Sequence, residues 1–209
     1  MAPLVLVHGG LWDSQTAGRY WHDTGVSAAL AGHGLRVSAP ERPDRAPSWV
    51  TEGVHLLAAL PAEPVTLIAA SHGCSAAVRA ALIDPGRVRG LLLAWPATAG
   101  DPDVDASTHA RLDSLGARTA EVSQLLDGQT LRGVTHAELT ALRMPVGVLP
   151  ALPENRQHQR RTVDALLARL PHARELPGCP EPVRSDFAEH LPRFVGTIIS
   201  FVDDLVGPG

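Results

Sequence analysis

The chemistry of this chain centres on a serine that joins two unlike segments. Val65-Thr66-Leu67-Ile68-Ala69 is an apolar run, Gly73-Cys74-Ser75-Ala76-Ala77 is a slim stretch of small residues, and Ala70-Ser71-His72 lies between them. The first reads as a buried strand and the second as the start of a helix, so Ser71 stands in a sharp turn at a helix N-terminus. A hydroxyl there either caps the helix or sits in the positive end of the backbone dipole, where negative charge developing on its oxygen or on a substrate is favoured. A second apolar run, Leu4 to Val7, enters the turn His8-Gly9-Gly10 in the same manner. Other chemistries find little support. The ten histidines show no H-E-x-x-H or paired-cysteine spacing, and no Gly-rich phosphate loop follows a strand, so neither a metal nor another cofactor is expected. All 18 basic residues are arginine, which removes Schiff-base and Ser-Lys mechanisms. Cys74 falls inside the small-residue helix and reads as a packing residue.

The elements that must position Ser71 recur along the chain. Leu35 to Ala39, Leu91 to Trp95 and Val146 to Leu149 are further short runs of Val, Leu and Ala bounded by Gly, Pro or Asp, and they read as parallel strands covered on both faces. Between them lie segments of helical period, among them Val163, Leu166, Leu167 and Leu170, and the C-terminal series Leu191, Phe194, Val195, Ile198, Val202 and Leu205. Strict alternation predicts right-handed crossovers and a doubly wound sheet whose ligands bind beyond the C-terminal ends of the strands. Residues 96–143 break the rhythm, as a cap inserted over that crevice would. One domain over residues 1–209 is expected.

Two of these segments resemble known signatures. Ala69-Ala70-Ser71-His72-Gly73 resembles the G-x-S-x-G nucleophile elbow of the α/β-hydrolase superfamily, with Ala in the first glycine position, and Val5-Leu6-Val7-His8-Gly9-Gly10 resembles the strand and His-Gly turn that supply half of its oxyanion hole. Asp84 to Leu93 is similar to the helix end and strand that follow the elbow. The resemblance implies an α/β-hydrolase fold: a doubly wound, mostly parallel sheet of about six strands, the usual first hairpin missing, with helices on both faces and a small helical cap. It further implies Ser71 as nucleophile and the backbone N–H groups of His72 and of Gly10, or Leu11, as the oxyanion hole. His8 is read as bracing its loop.

The other two members of a triad depart from the family pattern. The family order is serine, acid, histidine. Where the acid is expected, after Val146 to Leu149, the chain has Pro150-Ala151-Leu152-Pro153-Glu154-Asn155, and Glu154 is the only carboxylate in that turn. Where the histidine is expected, the chain has Gly178-Cys179-Pro180-Glu181, so Glu181 occupies the customary histidine position. The next histidine, His190, precedes the C-terminal helix and is taken as the base, with Glu154 as its acid. His158 and His72 compete as bases, and Asp101, Asp103 and Asp105 are fallback acids.

A net charge of −4 with no basic cluster excludes attraction to nucleic acid or anionic lipid. With two cysteines, no leader-like start and no long apolar stretch, the protein is expected to be cytoplasmic with free thiols. The function these observations favour is an acyl hydrolase or acyltransferase. Its substrate would be an ester or thioester of a small hydrophobic acyl group, held by Leu11, Trp12 and Trp95, with an acyl carrier protein as one conceivable partner in natural-product biosynthesis. The alternative is a non-catalytic small-molecule-binding module that kept the fold and lost the relay.

Overall fold

The computed structural model describes residues 2–13 and 15–206. Six strands, β1 (Leu4–Val7), β2 (Val37–Ser38), β3 (Val65–Ala70), β4 (Val88–Ala94), β5 (Val146–Leu149) and β6 (Ala173–Glu175), form one sheet in the order β2-β1-β3-β4-β5-β6. Every pairing is parallel. The order reverses between β1 and β3, which is the switch point where a parallel sheet opens its ligand crevice. Ser71 follows β3, and the His8 turn follows β1.

Side chains alternate across the sheet with period two, and both faces are covered. Val5, Val7, Leu67, Ala69, Leu91, Leu93, Val146 and Val148 face one core, which includes residues of α2 (Trp49–Ala59), α3 (Gly73–Ile83) and α7 (Arg160–Arg169). Leu4, Leu6, Ile68, Ala70, Leu92, Ala94 and Leu149 face the other, with α1 (Val26–Gly32) and α8 (Phe187–Val206). In α8 the buried positions Phe187, Phe194, Val195, Ile198, Phe201 and Val202 make one apolar stripe along the helix. The middle strands are therefore largely apolar, with Thr66 of β3 and Arg89 of β4 as the exceptions.

Between β4 and β5 the chain forms α4 (Pro102–Ser114), α5 (Thr119–Leu126) and α6 (His136–Ala141). Leu112 of α4 and Val122 and Leu125 of α5 pack with Leu11 and Trp49 into a third, smaller cluster. The Asp101 side chain caps α4, accepting the N–H groups of Asp103 and Val104 at 3.0 Å each. Among the described residues, no helix is long and apolar enough to cross a membrane.

Candidate active site

Ser71 lies in the left-handed region, at φ 51°, between the last residue of β3 and the first turn of α3. Its N–H donates to Ala94 O at 3.0 Å, and its carbonyl accepts from Cys74 N at 3.0 Å. A side chain held at positive φ costs on the order of 1–3 kcal/mol and persists only where surrounding contacts enforce it. Close approach enforces the turn. A Cβ on Gly73 would stand 2.5 Å from His8 O and 2.9 Å from Val7 O, so α3 starts directly against the end of β1. That contact explains why Gly73 must be glycine.

The His8 turn is braced from beneath. Arg42 Nη1 donates to the carbonyls of His8, Gly9 and Gly10 at 3.1, 3.1 and 2.7 Å, while Nε and Nη2 pair with the two carboxylate oxygens of buried Glu52. Three bonds from one guanidinium nitrogen fix the carbonyl side of this loop. His8 Nε2 accepts from Arg42 N at 3.2 Å, which puts the ring proton on Nδ1, 2.8 Å from Gly9 O. Burial, with the Arg42 charge, lowers the His8 pKa, so the ring serves as a neutral brace. Gly10 has φ 90°, and a Cβ there would collide with Asp13 Oδ1 at 2.2 Å. The backbone N–H of His72 has no acceptor among the described residues. The His72 ring stacks on Trp49, 6.2 Å between centroids, and burial followed by the Arg132 and Arg42 charges holds its pKa well below the usual value.

The side chain that meets Ser71 is His158. Ser71 Oγ lies 2.9 Å from His158 Nε2, and on the far edge of the ring His158 Nδ1 lies 2.7 Å from Glu181 Oε1. The second contact falls short of the alignment of a straight hydrogen bond, a looseness common before substrate binds. Both partners are largely buried, with side chains 7% and 13% exposed. Burial pushes the Glu181 carboxyl up, but the His158 ring beside it and the Asn155 amide, whose Nδ2 donates to Oε1 at 3.0 Å, outweigh burial and hold it below the usual carboxylate value.

Each of these two loops is fixed by its strand end. Asn155 Oδ1 accepts the N–H groups of Gln157 and His158, at 2.9 and 3.1 Å, folding the loop after β5 into a turn that aims His158 at the elbow. Thr98 N donates to Gln157 O at 2.8 Å, and Gln159 N donates to Thr98 Oγ1 at 3.1 Å, tying that loop to the end of β4. Trp95 Nε1 donates to Cys179 O at 2.7 Å, two residues before Glu181.

Of the residues singled out from sequence, the structure brings together Ser71, Gly10, His72, Leu11 and the competing base His158, while Glu154, His190, Trp12 and Trp95 stand apart. Glu154 is exposed, and its carboxylate accepts from Arg160 N at 2.7 Å at the start of α7. His190 lies in the first turn of α8 and does not line the Ser71 cavity. Trp95 is fully buried against Phe194, 4.9 Å between centroids, and Trp12 turns its Nε1 to Ala46 O, so neither lines that cavity. Of the fallback acids, Asp101 caps α4, Asp105 pairs with buried Arg132 at 2.9 Å, and Asp103 lends its carbonyl to Arg156. The signal for the observed pair was present in the sequence: a carboxylate in the customary histidine position and a histidine close after the customary acid position. Relative to the family order the two have exchanged loops. Among the described residues no group of three or more His, Cys, Asp or Glu could hold a metal ion.

The elbow, the His-Gly turn and the sheet order have a match among known proteins. Residues 4–207 match the family model described as "Alpha/beta hydrolase family". The chain belongs to the α/β-hydrolase family. No curated protein sequence matches it. Among solved structures, carboxylesterase CesB (YbfK) from Bacillus subtilis is similar at 19% identity and TM-score 0.66, over 96% of this chain and 84% of that one. Esterase RhEst1 from Rhodococcus sp. is similar at 18% identity and TM-score 0.65, covering 98% and 91%. A meta-cleavage product hydrolase from Pseudomonas fluorescens gives 17%, TM-score 0.70, and the same coverages of 98% and 91%. At these identities the α/β-hydrolase likeness is one of fold.

Proposed function

We propose that this α/β-hydrolase cleaves esters through an acyl-enzyme on Ser71, with His158 as general base and Glu181 as its acid. The observation that carries the reading is the chain of contacts Ser71 Oγ to His158 Nε2 to Glu181, at 2.9 and 2.7 Å. A carboxylate against Nδ1 favours the tautomer protonated there, leaving Nε2 bare to accept the serine proton. Ser71 Oγ then attacks the substrate carbonyl carbon as its proton passes to His158. Negative charge collects on the carbonyl oxygen, where the N–H groups of Gly10 and His72 would receive it. Glu181 stabilises the imidazolium, which returns the proton to the leaving alkoxide. Water, deprotonated by the same ring, attacks the acyl-enzyme and frees the acid and Ser71. Exchange of acid and base between loops leaves this sequence intact, because β5 and β6 are parallel neighbours and deliver both loops to one edge of the sheet.

A thioester donor, or a second acceptor in place of water, would use the same acyl-enzyme. The alternative of a binding module that lost the relay loses its main motive, since a histidine and a carboxylate stand in line with Ser71. The test is labelling by a fluorophosphonate probe, read by intact mass. Wild type and His190→Ala should gain one adduct, while Ser71→Ala and His158→Ala should not. Labelling of His158→Ala at the wild-type rate, or its loss in His190→Ala, would overturn the assignment.

A further inference from the structure

The cavity in front of Ser71 has a volume of about 210 Å³, below the roughly 300–1,000 Å³ typical of pockets for larger ligands. A space of this size suits a short acyl group. Its walls are not those of a hydrocarbon pocket, since beside Leu11, Leu112 and Val183 they include Gln15, Tyr20 and Thr108. Two of these carry buried polar atoms without a hydrogen-bond partner among the described residues: the Tyr20 hydroxyl and the Gln15 side-chain oxygen Oε1.

Tyr20 is only 2% exposed. It borders the reacting serine: a Cβ placed on Gly9 would be 3.1 Å from Ser71 Cβ and 3.2 and 3.5 Å from Tyr20 Cε2 and Cζ, so the hydroxyl-bearing end of the ring and the nucleophile flank the same glycine. Burial, reinforced by the Glu181 charge, raises the phenol pKa well above its usual value, so the group is a neutral donor and acceptor. A buried polar group without a partner is costly, and a hydrocarbon ligand would leave both groups unpaired. A ligand hydroxyl meets both needs. It can accept from Tyr20 and donate to Gln15, and it serves the Gln15 amide in either orientation.

We infer that this cavity selects a short acyl group bearing a hydroxyl near the reacting carbonyl, read by the Tyr20 hydroxyl and the Gln15 side-chain amide. The inference rests on Ser71 as nucleophile. A pocket built to hydrogen-bond a substrate hydroxyl discriminates strongly against the analogue lacking it, because its own polar groups are left unpaired.

The test compares kcat/KM for matched ester pairs, methyl 3-hydroxybutyrate against methyl butyrate and methyl lactate against methyl propionate, by pH-stat. Wild type should prefer at least one hydroxy ester by about tenfold or more, and Tyr20→Phe should lower that ratio by about tenfold. A purely structural role for Tyr20 would lower both rates together and leave the ratio unchanged, which overturns the inference. Gln15→Leu gives a second reading of the same ratio should Tyr20→Phe fold poorly. Fluorophosphonate labelling of the same preparations separates the two levels. Ser71 labelled with no preference between esters, or with no turnover of either hydroxy ester, sinks the substrate inference alone. An unlabelled wild type removes the nucleophile and the inference with it.

Discussion

Replacing Glu181 with glutamine keeps the shape of the side chain and removes its charge. Glu181 Oε1 accepts from Asn155 Nδ2 at 3.0 Å and lies 2.7 Å from His158 Nδ1, and a glutamine oxygen could occupy the same place. What disappears is the attraction between carboxylate and imidazolium as the serine proton moves. With charge centres about 4 Å apart and an effective dielectric constant of about 20, that attraction is about 4 kcal/mol. At about 1.4 kcal/mol per decade it corresponds to a fall of about a thousandfold in kcat. Solvent screening subtracts little, because the side chains are only 13% and 7% exposed. The loss should fall on kcat and spare KM, since the interaction is at full strength only after proton transfer. The assay is steady-state hydrolysis of p-nitrophenyl acetate, with thermal melts to establish folding and Glu154→Gln alongside. Glu154, exposed at the start of α7, should tolerate the change within about twofold, as surface substitutions do. A Glu181→Gln enzyme within tenfold of wild type, or a larger loss in Glu154→Gln, would refute the exchanged relay.

Acid stability offers a second check. The Glu181 carboxyl is held below its ordinary value of 4.5 in the folded chain, so its ionisation favours folding above that pH, and the contribution disappears as pH falls through the lowered folded value. Urea melts at pH 7 and near pH 3.5 should show a smaller loss on acidification for Glu181→Gln than for wild type, and equal losses would contradict the direction of the shift. Gly73→Ala presses a methyl against two backbone carbonyls at 2.5 and 2.9 Å. It should cost about 1–3 kcal/mol, and at about 2–4 °C per kcal/mol the melting temperature should fall by several degrees; an unchanged melt would mean that the elbow relaxes freely. Arg42→Ala strips the three carbonyls of the His8 turn of their donor and leaves Glu52 buried without its partner. A loss of about 3–5 kcal/mol in stability by urea denaturation is expected, and a loss below about 1 kcal/mol would show that the loop does not depend on this brace.

Much of this protein was legible without its structure. Apolar runs bounded by breakers identify strands, because a parallel strand buried on both faces has little place for polar residues, and five of the six strands overlap such runs. The sixth, β6, is Ala173-Arg174-Glu175 at the sheet edge, where polar side chains can reach water and no apolar run marks the strand. The elbow was legible for a local reason: a turn that brings strand and helix backbones together admits only small neighbours around Ser71. Glu181 was visible only as the occupant of the customary histidine position, and Glu154 was taken as the acid instead. The partner of Ser71, however, was decided by the tertiary structure alone. Ser71 and His158 are 87 positions apart and meet because the ends of β3 and β5, separated by β4, open onto one crevice. Which of several histidines reaches that point depends on how the Asn155 turn is folded and tied to Thr98, a matter of three-dimensional hydrogen bonding that leaves no period in the sequence. The tryptophans carry the same lesson. Trp95 had the composition of a pocket wall, yet the nearness of Phe194 and Cys179 O makes it a pillar of the core instead. Residue type and local spacing fix what chemistry a chain can offer, while the packing of distant segments fixes which groups meet to perform it.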